Sequence, residues 1–121
     1  MMTCDNNSND TMIIKNKSPF DLIFAARHKK YAFWDKKAPL SQVYYFIKGY
    51  ELGLYSTGVS ADEKLYKFNG VPGCNFQAFV TKKVDIKTNL PWYNVIEFLS
   101  PSLDDAIDYF YDLLDEFFEE E

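Results

Sequence analysis

Residues 102–121 read SLDDAIDYFYDLLDEFFEEE, and this stretch decides the fold class. With Leu103 at 0° and about 100° per residue, the acidic side chains of residues 104–119 fall in an arc from about 100° to about 220°. Ser102 is a favourable N-cap, and Asp105 stands three positions after it. The sequence therefore predicts a strongly amphipathic C-terminal helix. The apolar residues on its opposite side are Ala106, Ile107, Phe110, Leu113, Leu114, Phe117 and Phe118.

Four more segments repeat the helical spacing of apolar residues. They predict helices over about 19–30, 39–57, 75–84 and 91–99. Pro19, Pro39 and Pro91 each stand at a first-turn position, where proline is favoured, and Ser18 can cap the first helix. The segments FQAFV and WYNVIEFL are also rich in strand-favouring residues, which is typical of a hairpin. Because their apolar residues recur at intervals of three and four, helices are predicted instead.

The connection over residues 57–74 is predicted to be irregular, because glycine and proline punctuate it, with LYKF as a possible short strand. Within the second helix, Gly49 and Gly53 each lower helix stability by up to about 1 kcal/mol relative to Ala. Their spacing of four residues would let another helix approach closely. The predicted core consists of Phe20, Phe24, Tyr44, Ile47, Phe79, Trp92, Ile96, Phe110, Leu114 and Phe117.

The length of 121 residues is that of one domain. Residues 1–17 are rich in Asn, Ser and Asp and are predicted to be a flexible polar tail, whereas residues 18–121 are predicted to form an all-α domain of about five helices. The start of the chain lacks the apolar run of a signal peptide, and no stretch is apolar enough to span a membrane. With only Cys4 and Cys74, a disulfide scaffold is excluded and a cytoplasmic protein is expected.

Charge is distributed unevenly along the chain. The 13 basic and 18 acidic residues give a net charge of −5, and residues 104–121 hold nine acids and no base. The remaining residues hold 13 bases and nine acids and are therefore mildly basic. An acidic segment of this kind repels nucleic acid and attracts a basic protein.

The acidic side of the last helix is the candidate binding site. Like charges at Asp108, Asp112, Asp115 and Glu119 are spaced so that they repel one another, whereas a merely soluble face usually mixes both signs. We interpret the stripe of Asp108, Asp112, Asp115, Glu116 and Glu119 as a protein-binding surface. The alternative is a solvated face without a binding role.

The sequence contains no recognisable catalytic set, so we expect a protein that is not an enzyme and needs no metal or cofactor. Cys74 has only His28 as an imidazole partner, and nothing in the sequence places the two together. The acids of the last helix lack the spacing of a calcium loop. The basic residues Arg27, Lys29, Lys30, Lys36 and Lys37 can bind nucleic acid in principle, or can simply complement the dipole at the end of the first helix.

Five ordered motifs resemble small bacterial immunity proteins of contact-dependent growth inhibition and related polymorphic toxin systems. They are SPFDLI (18–23), LSQVYYFIKGYELGLY (40–55), FQAFV (76–80), PWYNVI (91–96) and SLDDAIDYFYDLLDEF (102–117). The resemblance covers about residues 18–118 and rests on the order and spacing of aromatic motifs.

The resemblance implies a non-enzymatic protein that binds, in the cytoplasm of the producing cell, the toxic C-terminal domain of a cognate effector, often a nuclease. It transfers no binding residue to this chain. Together with the acidic stripe, it leads to the hypothesis that the stripe blocks a basic nuclease cleft, with no nucleic-acid or membrane partner. Two alternatives remain open: an acidic nucleic-acid mimic or adaptor that inhibits another nucleic-acid-binding protein, and a nucleic-acid binder acting through its basic face.

Overall fold

The computed structural model describes residues 18–119, and within them all regular secondary structure is helical. The predicted all-α class is confirmed. The predicted tail, residues 1–17, lies outside the described residues. In chain order the elements are α1 (Pro19–Ala25), a 3-10 turn (Ala26–Lys29), α2 (Lys30–Phe33), α3 (Pro39–Thr57), α4 (Glu63–Asn69), α5 (Phe76–Val84), α6 (Trp92–Leu99) and α7 (Leu103–Glu119).

The first predicted helix, over 19–30, is broken into three short pieces. Ser18 caps α1 by accepting a hydrogen bond from the Phe20 N–H at 3.1 Å, as the sequence predicts. After Ala25 the chain tightens into the 3-10 turn. At this point the Ile23 carbonyl oxygen accepts a hydrogen bond from Tyr111 Oη at 2.6 Å. A tertiary contact therefore accompanies the interruption, and the helical spacing of residues 19–30 gives no sign of it.

Helix α3 runs from Pro39 to Thr57, and its predicted bounds are confirmed. Proline occupies its first turn, and Gly58 ends the helix in the left-handed conformation (φ 74°), which glycine adopts without the steric penalty of a side chain. One side of α3 buries Leu40, Val43 and Ile47.

The prediction of an irregular connection over residues 57–74 is wrong at its centre, where α4 forms. Asp62 caps this helix by accepting hydrogen bonds from the N–H groups of Lys64 and Leu65. Leu65 and Phe68, spaced three residues apart, are buried. The LYKF segment is therefore helical, because burial of these two side chains on one helix face outweighs the strand preference of the segment.

The segments FQAFV and WYNVIEFL lie in helices α5 and α6 and do not form the hairpin considered as the alternative. The predicted positions of both helices are confirmed to within one residue. Asn75 caps α5 by accepting from the Ala78 N–H at 2.9 Å. The two helices pack against each other and against α7. None of the described helices is long and apolar enough to cross a membrane.

The core is aromatic and centres on α7. The Phe110 ring stacks on Trp92, with centroids 5.1 Å apart, and Phe76 makes edge contacts with Trp92, Phe110 and Phe117. Of the predicted core, seven residues are buried: Phe20, Ile47, Trp92, Ile96, Phe110, Leu114 and Phe117. The other three, Phe24, Tyr44 and Phe79, are partly buried against that cluster.

The predicted core omits several buried residues, and Tyr111 and Trp34 are two of them. Tyr111, which the helical wheel puts at the polar boundary, is 1% exposed, and Trp34 is buried beside it. Trp34 Nε1 donates to Tyr111 Oη at 3.3 Å, and Tyr111 in turn donates to the Ile23 carbonyl. The buried arc of α7 is wider than predicted because α1 and the segment around Trp34 cover the Tyr111 side of the helix.

Candidate protein-binding surface

The acidic stripe (Asp108, Asp112, Asp115, Glu116 and Glu119) lies along one side of α7. Its residues are held in one row because the opposite side of the helix is buried against the rest of the domain. Ser102 Oγ accepts from the Asp105 N–H at 3.1 Å and donates to the Asp105 carboxylate at 3.0 Å, which fixes the start of the helix. The geometry of the stripe is therefore set by a capped, well-packed helix.

Arg27 bridges two members of the stripe. Its Nη1 lies 2.7 Å from Asp115 Oδ2, and its Nη2 lies 3.1 Å from Asp112 Oδ1. The guanidinium also lies over the ring of Tyr111, with Cζ 5.3 Å from the centroid. The hydrogen bond to Asp115 raises the pKa of Arg27, and partial burial opposes that effect. One cation thus orients two carboxylates that the sequence pattern treats as mutually repelling.

The N-terminal half of the stripe pairs with α2. Lys30 Nζ lies 2.7 Å from Asp108 Oδ1. One helical turn earlier, Tyr31 donates its hydroxyl hydrogen to Asp104. This hydrogen bond, more than the accompanying desolvation, raises the pKa of Tyr31 to about 12. Arg27 and Lys30 therefore both face α7.

Lysine side chains from two other helices contact the C-terminal half of α7. Lys83 Nζ of α5 lies 2.7 Å from Glu116 Oε1. Lys67 Nζ of α4 donates to the Phe117 carbonyl oxygen at 3.0 Å and lies 5.0 Å from the centre of the Phe117 ring. Acidic residues oppose the dipole at a helix C-terminus, and the Lys67 ammonium offsets part of that cost.

The stripe is therefore not the row of unpaired, mutually repelling charges that the spacing of the acids indicated; whether it binds a protein is a separate question. Asp108, Asp112, Asp115 and Glu116 each pair with a cation from another element, whereas Glu119 is exposed near the end of the helix. The sequence could not show these pairs because the partners lie between 33 and 88 residues away in the chain. The feature of the sequence that indicated partners for the acids was the basic run RHKK at residues 27–30.

The five basic residues between positions 27 and 37 have different environments in the structure. Arg27 and Lys30 form ion pairs with α7, in addition to lying in the last turns of their own helical segments. Lys29, Lys36 and Lys37 are exposed. The Lys36 ammonium lies 5.8 Å from the centre of the Tyr31 ring.

Outside the stripe, the candidate residues for catalysis or metal binding are His28 and Cys74. His28 is exposed, and Cys74 is an exposed free thiol. The described part of the chain contains no group of three or more His, Cys, Asp and Glu residues placed to hold a metal ion.

A cavity of about 360 Å³ opens where α3, α4, α5 and α6 meet. Its walls combine aromatic rings with side-chain amides, and Lys48 is the only charged residue among the described residues that line it. One of the amides, Asn69 Nδ2, is buried without a hydrogen-bond acceptor among residues 18–119. This cavity lies outside the acidic stripe and shares no residue with it.

No protein-family model, curated protein or solved structure matches this chain.

Proposed function

We propose that this protein is an immunity protein that binds and neutralises the toxic domain, a basic nuclease, of a cognate contact-dependent inhibition effector. One observation carries the proposal. The side chains of Asp108 and Asp112 remain 64% and 67% exposed although both are ion-paired. The stripe therefore presents oriented carboxylates to solvent along one side of a rigid helix.

The acidic excess of α7 supports attraction of a basic toxin at a distance. Seven acids of α7 lie within the described residues, and three cations pair with its carboxylates. An ion pair cancels charge locally but does not remove the excess, and the field at a distance depends on that excess. A nuclease cleft that is built to hold phosphates is cationic, so the stripe and the cleft attract each other before contact.

The ion pairs also support binding once the two proteins are in contact. Exposed pairs of this kind contribute about 0–1 kcal/mol, so a Lys or Arg of the toxin can share or replace the internal cation at little cost. Meanwhile Arg27 holds Asp112 and Asp115 in fixed positions, which lowers the entropy lost on binding. The internal cations therefore preorganise the stripe for a basic partner.

The direct test is co-purification with the toxin domain encoded beside this protein, followed by assay of the toxin's activity with and without equimolar immunity protein. We expect a stable 1:1 complex and loss of toxicity. Capture of an unrelated nucleic-acid-binding protein, with no effect on the neighbouring toxin, would favour the nucleic-acid mimic instead. Failure to bind either partner would refute the proposal.

A charge-swap variant separates binding from folding. Exchanging the charges of Lys30 and Asp108 (Lys30→Asp with Asp108→Lys) keeps the internal ion pair and the net charge but places a cation in the stripe. We expect unchanged thermal stability and faster dissociation from the toxin. Asp21→Lys with Lys64→Asp, an exchange among exposed residues outside the stripe, is the matched control and should bind like wild type.

A further inference from the structure

The cavity of about 360 Å³ between α3, α4, α5 and α6 is large enough to hold a ligand. Its volume falls within the range of about 300–1,000 Å³ that small-molecule sites occupy in proteins. It is also far larger than the roughly 30 Å³ that one water molecule takes up in the liquid. The cavity therefore has room for a small organic molecule, and none of the five stripe residues lines it.

Aromatic side chains of the core form part of the cavity wall. Phe68 and Trp92 are each 4% exposed, and their rings stand perpendicular to each other with centroids 5.8 Å apart. The Tyr44 ring, whose centroid lies 6.0 Å from that of Trp92, also lines the cavity. Because packing on the core holds these rings in place, a flat apolar ligand can contact them without reorganising the site.

The described residues that line the cavity include one cation and no acid. Lys48 is exposed, and its ammonium lies 5.6 Å from the centre of the Tyr44 ring. In the described part of the chain, Lys48 forms no ion pair with a carboxylate. An anionic ligand can therefore pair with Lys48 without displacing an internal partner and without repulsion from an acid in the wall.

Two helices begin at the cavity wall. Asn75, the cap of α5, and Pro91, the residue before α6, both line the cavity. Asn75 accepts a hydrogen bond from the Ala78 N–H, whereas Pro91 offers α6 no side-chain acceptor. The N–H groups at the start of α6 have no partner within the helix, and the positive ends of both helix dipoles lie at the cavity. These features favour a ligand that carries negative charge on oxygen.

One buried hydrogen-bond donor at the cavity is unmet. Asn69 lines the cavity, and its Nδ2 is buried without an acceptor among residues 18–119. The Gln77 amide, which also lines the cavity, is by contrast engaged, because its Nε2 donates to the Leu90 carbonyl oxygen at 2.9 Å. Buried polar groups in folded proteins almost always have a hydrogen-bond partner, so the unmet donor of Asn69 indicates that an acceptor is missing. An anionic ligand supplies such an acceptor.

We propose that this cavity binds a small aromatic carboxylate. The flat ring of the ligand lies against Tyr44, Phe68 and Trp92, and its carboxylate accepts hydrogen bonds from Lys48 and Asn69. The ring matches the preformed aromatic wall, and the carboxylate matches the unmet donors and the positive charge at the same place. Because the cavity shares no residue with the acidic stripe, this proposal and the proposed toxin binding can fail independently.

Titration of the full chain with phenylacetate and with indoleacetate, followed by heteronuclear NMR, tests the inference. We expect at least one of the two to bind with a dissociation constant of about 1 mM or below. Binding should shift the side-chain signals of Asn69 and Trp92. Phenylacetamide and indoleacetamide lack the charge, and acetate lacks the ring, so each should bind at least about tenfold more weakly than the aromatic carboxylate.

Two variants test the assigned contacts. Lys48→Met removes the charge but keeps an unbranched side chain, so the carboxylate should bind at least about tenfold more weakly while the amide binds as to wild type. Lys29→Met makes the same change in net charge at an exposed residue outside the cavity and is the matched control. Asn69→Leu replaces the unmet donor with an apolar group of similar size. It should weaken carboxylate binding and raise the melting temperature of the free protein.

Absence of binding by both carboxylates up to about 10 mM would overturn the inference. So would equal binding of a carboxylate and its amide, or equal weakening by Lys48→Met and Lys29→Met. A lower melting temperature of Asn69→Leu with unchanged affinity would also overturn it, because a bound water would then already satisfy this amide.

Discussion

Arg27 and Asp115 lie 88 residues apart in the chain and are joined by a 2.7 Å hydrogen bond between Nη1 and Oδ2. The contact ties the turn after α1 to the C-terminal half of α7. It also places a cation inside the row of carboxylates that we propose to bind the toxin. The same side chains therefore stabilise the fold and form the binding surface, and substitutions in the stripe affect both.

Arg27→Met should lower the free energy of unfolding by about 1 kcal/mol, because two partly exposed ion pairs and the cation–π contact with Tyr111 are lost while an unbranched apolar side chain is retained. Urea denaturation measures the change. The loss should shrink at high salt, since salt screens the wild-type pairs. Lys29→Met, at an exposed neighbour, should change stability little. Equal losses in the two variants would show that the ion pairs contribute nothing.

Phe110→Ala should destabilise the protein by about 3–5 kcal/mol. The side chain is fully buried and stacks on Trp92 at the centre of the core, so its removal leaves a cavity that rigid rings cannot fill. Chemical denaturation monitored by circular dichroism gives the value. Phe98→Ala, at an exposed aromatic residue, should cost less than about 1 kcal/mol. A loss of under about 1 kcal/mol for Phe110→Ala would contradict the packing described here.

Tyr111→Phe should cost about 1–3 kcal/mol although only one oxygen atom is removed. Without that oxygen, Trp34 Nε1 loses its acceptor, and the Ile23 carbonyl loses the donor that approaches it at 2.6 Å. Thermal unfolding is the measurement. Tyr109→Phe is a suitable control because Tyr109 is only partly buried. Equal stability of the two variants would mean that the buried hydrogen bonds are not formed in solution.

The elements that the sequence predicted well are those with strong local signals. Helix α7 combines a cap at Ser102 with a clean division of apolar and acidic residues, and α3 begins at a proline and ends at Gly58. Local signals failed for α4, whose two buried residues, Leu65 and Phe68, are too few to establish a period. They failed again at Tyr111, since burial there depends on Trp34, 77 residues away.

The candidate site was likewise predicted where local signals decide and missed where distant contacts decide. The alignment of the acids on one side of α7 follows from helical geometry alone and was predicted. Their pairing with Arg27, Lys30 and Lys83 depends on how distant helices pack, and periodicity within one helix carries no information about that. The sequence therefore located the acidic surface but gave a wrong account of its internal charge balance.

Tyr31 should titrate at about pH 12, above the ordinary value of 10.0, because its hydroxyl donates to the Asp104 carboxylate. A pKa raised by folding contributes stability that is complete below about pH 10 and is lost as the pH rises through about 12. Asp104→Asn should lower the Tyr31 pKa towards 10.0, as followed by NMR of the ring carbon that bears the hydroxyl. Asp105→Asn should leave it unchanged. A Tyr31 pKa near 10.0 in wild type would exclude the contact with Asp104.

Removing charge from the stripe should slow toxin capture more than it harms folding. Asp112→Asn with Glu119→Gln lowers the acidic excess of α7 by two while retaining the stronger pair of Arg27 with Asp115. We expect the association rate to fall by about three- to tenfold at low salt, and its dependence on salt to flatten, because electrostatic steering scales with the charge of the surface. Stopped-flow association with the toxin domain at low and physiological salt measures both. Asp21→Asn with Glu63→Gln makes the same change in net charge outside the stripe and serves as the control. If both variants associate like wild type, α7 serves only to hold the fold together, and the toxin must bind another surface.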